Sequence, residues 1–308
     1  MPASNVIRLS DNLTIAQLGL KKVYRAELPR IPQQYKEWLR EETATEFIHT
    51  EYEHTGLGAM PEKPVGTPFQ TTRPYFSSTK SYTLKTYGLA LEIQYEAKRW
   101  DLYDIYTPVA KELARTAMIR YDLEAYGILN NSFVTTNPTY VNRSNEAICS
   151  ATHARLDGGT WKNRPSSTFG LSMAALETAS IDLRNTVDET GQYLLLVPKT
   201  LIVATAGRWL AGTLIKSETN PENANLAHNN AKDMGMTINS SPYITLTTGW
   251  WVTSDTKSDR FRIHIQLGDA PDLVKDQVPN TRNELWSSYC SFSIVVWNGR
   301  GMYGDPGI

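Results

Sequence analysis

Two histidines, His49 and His54, stand among three carboxylates, Glu46, Glu51 and Glu53. Imidazole and carboxylate together form the usual ligand set of zinc and related divalent ions. In an extended strand, His49, Glu51 and Glu53 share a parity, so three ligands line one face. Nothing nearby has the His-Glu-x-x-His spacing that puts two imidazoles on one helix face. The same residues also make an ordinary solvated face of a projecting hairpin. That reading is taken, and no metal is assigned. The pair Trp250-Trp251 is the second candidate, since indoles could stack on a sugar or a base. Neighbouring strand residues point to opposite faces, so one indole is expected in the core and the other at the surface or an interface.

The remaining chemical motifs are weaker. Gly-x-Ser-x-Gly, phosphate-loop and dinucleotide fingerprints are absent. Gly299, Gly301 and Gly304 follow the last expected strand, with no helix after them to bind phosphate, and read as a flexible tail. Asp182, Asp188 and Glu189 surround an expected helix end and read as solvated charges. No residue is assigned as catalytic and no cofactor is expected; the chain is read as a non-enzyme.

The elements that would position these residues come in an unusual order for an enzyme. Residues 56–76 are rich in Pro, Gly and aromatics and cannot continue a helix or strand. A long alternating strand follows over residues 80–97. Its apolar parity switches at Gly88, which predicts a bulge or a change of partner there. A long helix is expected over 108–130, with Thr107 as N-cap and Pro108 in the first turn. Its apolar stripe is Val109, Leu113, Ala117, Tyr121 and Ala125, and Gly127 weakens its end. A second amphipathic helix is expected over 171–187. Strands are expected over 193–198 and 201–204, then a short helix over 206–216 with Arg208 and Trp209. Residues 217–232 read as a surface loop. Further strands are expected over 243–253, 260–267 and 285–297. In the strand over 260–267 the polar face of Arg260, Arg262, His264 and Gln266 is solvated or meets a partner. An extended hairpin before a long spine helix suits a protein that reaches out and clamps a neighbour.

Composition narrows the class. The chain has 308 residues, 41% apolar and 20% charged, which is enough for a substantial folded core. Its 16 Tyr and 8 Trp are residue types favoured at interfaces. Lys plus Arg number 31 and Asp plus Glu 32, so the net charge is −1. A dedicated nucleic-acid binder carries a basic excess, so only weak, nonspecific DNA contact is expected. The two cysteines, Cys149 and Cys290, have no metal-ligand spacing. They read as free thiols, or as one disulfide if the assembled product meets an oxidising exterior. No signal pattern opens the chain and no apolar run spans a membrane, so a protein made in the cytoplasm is expected.

Three stretches carry a resemblance. Lys85-Thr-Tyr-Gly-Leu-Ala-Leu-Glu-Ile-Gln-Tyr-Glu-Ala97 precedes the long helix. Leu195-Leu-Val-Pro-Lys-Thr-Leu-Ile-Val203 precedes the short helix over 206–216. The strand from Tyr289 to Trp297 closes the sequence. In this order they resemble the major capsid proteins of tailed bacteriophages, with the Hong Kong 97-type fold. The resemblance implies an α+β fold with an N-terminal arm at 1–45 and an extended loop at 46–97. It implies a peripheral domain at 98–190, with its spine helix at 108–130. It further implies an axial domain at 191–279, and a return strand and tail at 280–308.

The implied function is self-assembly into pentamers and hexamers of an icosahedral virion shell around double-stranded DNA. Assembly would take place in the host cytoplasm. Neighbouring capsomers would meet through the arm and extended loop, and portal, scaffolding and decoration proteins would be further partners. Any scaffold would be a separate protein, and no membrane is involved. Subunit contacts are expected at Phe69, Arg73, Tyr75 and Phe76 of the loop, together with Tyr82 and Trp38. No Lys-Asn crosslinking pair is matched. The alternatives are an encapsulin-like compartment and a carbohydrate-binding or carbohydrate-active protein.

Overall fold

A computed structural model describes all residues except 1–19, 53–55, 73–78, 97–99, 101–105, 223–226, 259, 279–280 and 282. Helix α1 (20–27) leads into the short strands β1 (Arg40–Thr43), β2 (Ile48–Glu51) and β3 (Lys80–Thr83). Next come β4 (Lys85–Ile93) and the long helix α2 (Tyr106–Asn130). The middle of the chain forms β5 (His153–Ala154), β6 (Thr160–Trp161), α3 (Met173–Arg184), β7 (Thr200–Ala204) and α4 (Arg208–Lys216). It ends with α5 (Asn230–Asp233), β8 (Thr237–Ser241), β9 (Trp250–Thr253), β10 (Ile263–Leu267), β11 (Asp272–Gln277), β12 (Glu284–Val296) and β13 (Met302–Asp305). The chain divides into two compact units.

The first unit gathers the chain up to Gln33, Leu84–Asp122 and Leu267–Ser293. Strand β12 is its centre. Strand β4 runs antiparallel along it from Lys85↔Phe292 to Ile93↔Glu284, and β11 pairs its other edge from Asp272↔Tyr289 to Gln277↔Glu284. The pairing passes through Gly88↔Tyr289 without a bulge. The expected change of partner occurs instead at Leu84, between β3 and β4. The first half of α2 lies on the sheet, where Leu113 and Ala114 pack with Ile93, Leu273 and Trp286.

Tyr24 of α1 completes that core, and its hydroxyl lies 2.5 Å from Ser288 Oγ. Residues 20–45 therefore differ from the expected arm ordered by neighbours. Tyr24, Tyr35 and Trp38 are all buried in the chain's own fold. Thr107 also departs from expectation, because it lies inside the helix rather than capping it.

The second unit gathers Gln34–Thr83, Leu123–Gln266 and Ile294–Ile308. Its four-stranded sheet has the order β13-β9-β7-β8, with β7 and β8 parallel and the other pairs antiparallel. Helices α3 and α4 cover one face through Leu176, Leu183, Leu214 and Ile215, packed on Leu201, Val203, Trp250 and Val252. Ser172 caps α3 by accepting from Ala175 N–H. The helix spans Met173–Arg184, and its buried stripe runs through Ala175, Leu176, Ala179 and Leu183, with Ile181 exposed.

The opposite face of the sheet is covered too. Trp251 Nε1 donates to Ser132 Oγ at 2.9 Å, and the Trp251 ring stacks on Phe133. Tyr126 of α2 donates to Asn239 Oδ1 of β8 at 2.8 Å. A strand covered on both faces buries both parities, so Trp250 and Trp251 are both core. Residues 243–249, expected as strand, are irregular. So are residues 193–198, where Leu195 takes a left-handed φ of 52° and Tyr193, Leu195 and Val197 face outward.

Gly127 does not end the long helix. A Cβ at that position would lie 2.5 Å from Tyr140 Oη, and this hydroxyl donates to Glu124 at 2.6 Å. Glycine is needed there for close approach. The glycine-rich segment after β12 is likewise no flexible tail. Arg300, Met302, Tyr303 and Asp305 are buried, and β13 pairs β9 from Met302↔Thr253 to Asp305↔Trp250.

Candidate assembly site

Within the second unit, the segment after β2 is rooted in the β2–β3 ladder, from Ile48↔Thr83 to Glu51↔Lys80. This root is fixed from both strands. Lys80 Nζ donates to Val141 O at 2.7 Å, and burial brings its ammonium pKa down to about 8. Tyr82 Oη donates to Val296 O at 2.6 Å, and the ring packs with Val295 and Trp297. Beyond the root the chain changes character. Every described residue from 56 to 72 is exposed and none belongs to a helix or strand. A turn closes at Gly66, whose φ is 84°, with Thr67 N–H donating to Pro64 O at 3.2 Å. Phe69 is 78% exposed, with Lys63 Nζ 4.4 Å from its ring centre. Leu57, Met60, Val65 and Phe69 give this loop exposed apolar surface and no core of its own.

The contact residues expected from sequence separate into three groups. Phe69 is on this exposed loop. Arg73, Tyr75 and Phe76 lie outside the described residues. Tyr82 and Trp38 are corrections: they are 6% and 0% exposed and belong to the subunit's interior. Tyr82 points inward from β3, and Trp38 packs against Tyr126, with ring centres 5.9 Å apart.

Of the imidazole and carboxylate residues at the loop's root, Glu46 is exposed, as the solvated reading has it, whereas His49 and Glu51 are half-buried and depart from it. Glu53 and His54 lie outside the described residues. His49 and Glu51 of β2 stand 3.7 Å apart. His264 of β10, 2% exposed, places Nε2 3.2 Å from Glu42 Oε2 and 3.9 Å from Glu51 Oε1. Neither ring nitrogen of His264 completes a hydrogen bond. Gln266 is buried as well, so the polar face of β10 is interior. Among the described residues no three His, Cys, Asp or Glu are arranged to hold a metal.

Burial lowers the His264 pKa to about 3, and the positive charge of Arg40, His49 and Arg262 acts in the same sense. Burial also raises the Glu51 carboxyl, opposed by Arg262 and His49. Between pH 6.5 and about 3 the unfolded chain protonates this histidine and the folded one does not. The unfolded state binds the extra proton, so stability falls with pH across that window, by up to about 1.4 kcal/mol per pH unit. Glu51 opposes this, because its burial penalty is relieved when it takes a proton. Urea unfolding of the subunit should weaken from pH 6.5 to 4.5 more steeply in the wild type than in His264→Gln. Equal slopes would assign the acid sensitivity to other groups.

Three solved structures share the arrangement, at identities that speak for fold alone. The capsid of the cyanophage P-SCSP1u aligns with a TM-score of 0.56 and 9% identity, over 86% of this chain and 85% of its own. The capsid of a native GTA particle gives 0.56 and 10%, over 89% and 90%. A virus-like particle from Pyrococcus furiosus gives 0.53 and 8%, over 93% and 97%. No curated protein sequence matches. A profile of the phage capsid protein family matches residues 77–304. The chain belongs to that family. It is a major capsid protein with the Hong Kong 97-type α+β fold, a building block of an icosahedral shell.

The other residues singled out in the capsid protein's sequence serve its interior. Glu189, read as a solvated charge, is buried between Arg143 (2.5 Å) and Arg300 (2.6 Å). No local pattern announces this site, because its partners come from stretches 46 and 111 residues away. Asp188 Oδ1 organises a turn by accepting from the N–H groups of Thr190 and Gln192. Asp182 pairs with Lys162 at 3.0 Å. Cys149 and Cys290 are free and buried, and burial lifts the Cys149 thiol to about 12. Among the described residues no helix is long and apolar enough to cross a membrane.

Proposed function

We propose that copies of this capsid protein assemble into pentamers and hexamers of a shell that encloses double-stranded DNA. The observation that carries this reading is the loop. It is an anchored ladder followed by a fully exposed, partly apolar segment, in a chain of the phage capsid family. Each loop would lie over an adjacent subunit, with Phe69, Arg73, Tyr75 and Phe76 in the contact. Repetition over many subunits makes modest contacts into a stable shell. In this reading residues 46–97 are the extended loop, and 98–190 with 280–308 form the peripheral domain. Residues 191–279 are the axial domain. A net charge of −1 keeps contact with the packaged DNA weak and independent of sequence.

The phage family match favours a virion over an encapsulin-like compartment with protein cargo. Portal, scaffolding and decoration proteins would complete the particle. Negative-stain microscopy and sedimentation of the purified protein test the proposal. Closed shells are expected under assembly conditions. A protein that stays monomeric at every concentration would overturn it.

A further inference from the structure

The second unit carries two openings of opposite charge beside helices α3 and α4. Helix α4 buries Ala211, Leu214 and Ile215 and turns Trp209, Gly212, Thr213 and Lys216 away from the core. Trp209 is 87% exposed. It borders a groove of about 740 Å³ between α4 and β8, lined also by Arg208, Lys216, Met236 and Ile238. Arg208 donates to Ser240 Oγ at 2.7 Å. Neither Arg208 nor Lys216 has an acidic partner among the described residues.

The other opening, about 500 Å³, lies between α3, residues 220 and 222, and residues 228–234 around α5. Met173, Ala174 and Met234 give it apolar walls. Glu177, Glu222 and His228 give it a polar rim, and no Lys or Arg lines it. Nearby charges leave that balance in place: Asp233 holds His228 at 2.7 Å, and Glu218 holds Lys232 at 3.4 Å.

We propose that these are the two halves of one contact between copies of this chain. Trp209 of one copy enters the methionine-walled opening of the next, with Arg208 and Lys216 facing Glu177 and Glu222. This rests on the shell-forming reading above and names the surfaces that meet. A ring of identical subunits needs two different, complementary patches on each copy, because a self-complementary patch gives only pairs. The opposite charges satisfy that condition, whereas pairing like with like would set Arg208 and Lys216 against their own copies. Trp is the side chain most used as an interface anchor, and Met walls adapt to an inserted ring.

Disulfide trapping tests the contact. The variant Trp209→Cys with Met234→Cys, assembled and then oxidised with diamide, should give a covalent ladder on a non-reducing gel, ending at five or six copies. Either single substitution should give no ladder, since Cys149 and Cys290 are buried. Lys216→Glu and Glu177→Lys should each cut particle yield roughly tenfold or more, and their combination should restore it. Circular dichroism reports whether each variant folds, and all four charged positions changed or faced here are exposed. Normal shells from the wild type, with no ladder from the double cysteine variant and no rescue by the paired reversal, would overturn this contact while leaving the shell reading intact. Absence of shells from the wild type would overturn both.

Discussion

Deleting residues 58–74 and closing the gap with a short Gly-Ser bridge is expected to leave a folded subunit that builds no stable shell. The β2–β3 ladder, Lys80 and Tyr82 hold the root of the loop and are untouched by the deletion. The described residues removed are all exposed, and the turn bond from Thr67 to Pro64 is internal to them. Shortening a surface loop changes closure entropy by only about 0.6 kcal/mol per halving. The far-ultraviolet spectrum and the urea midpoint should therefore match the wild type. Particle yield should collapse, because a lost contact is lost at every subunit of the lattice. An unfolded deletion variant would place the segment in the core. Shells of normal yield and heat resistance would remove the loop from the assembly mechanism.

The largest single-residue effect on stability is expected at Glu189. Its carboxylate accepts from Arg143 and Arg300 through one oxygen and from Leu156 N–H, at 2.9 Å, through the other. Three stretches far apart in sequence converge on one buried side chain. The Arg300 guanidinium also lies over Trp161, 4.7 Å from the ring centre, and its Nε donates to Val187 O at 2.8 Å. Glu189→Ala leaves two buried guanidinium groups without their shared counter-charge, which costs roughly 3–5 kcal/mol. Urea unfolding of the isolated subunit measures this directly. Glu189→Gln should fall between, since an amide oxygen keeps a hydrogen bond and loses the charge. A loss under about 1 kcal/mol for the alanine variant would mean that water or rearrangement satisfies both arginines.

Sequence pattern located what depends on local repetition. The long helix and the short helix carrying Trp209 follow from spacing, because burial recurs with the period of the element, whereas β10 keeps its alternating sequence but is buried on both faces. What pattern missed depends on covering from elsewhere. Trp250 and Trp251 looked like core and surface, yet helices cover one and the Ser132–Phe133 turn covers the other. Leu194, Leu195 and Leu196 looked like a buried strand, but φ turns positive at Leu195 and no ladder forms. The exposed loop was legible from its prolines and glycines, which cannot build a regular element. Its root was misread, because the charge cluster of His49, Glu51 and His264 joins residues more than 200 positions apart, and no local window holds both ends.

The pairing of β13 with β9 also sets a schedule for synthesis. The side-chain amide of Asn163 donates to Gly299 O and Met302 O, 136 and 139 residues further along the chain. At ~5–20 residues per second, a ribosome takes roughly 7–28 s to deliver those carbonyls after Asn163 is made. From the completion of β9 at Thr253 until Met302–Asp305 emerge, β9 is a bare sheet edge, open to strands of other nascent chains. That edge closes when Met302–Asp305 have emerged and paired with β9. A chain that stops before Met302 is left with an open sheet edge, the feature that templates aggregation.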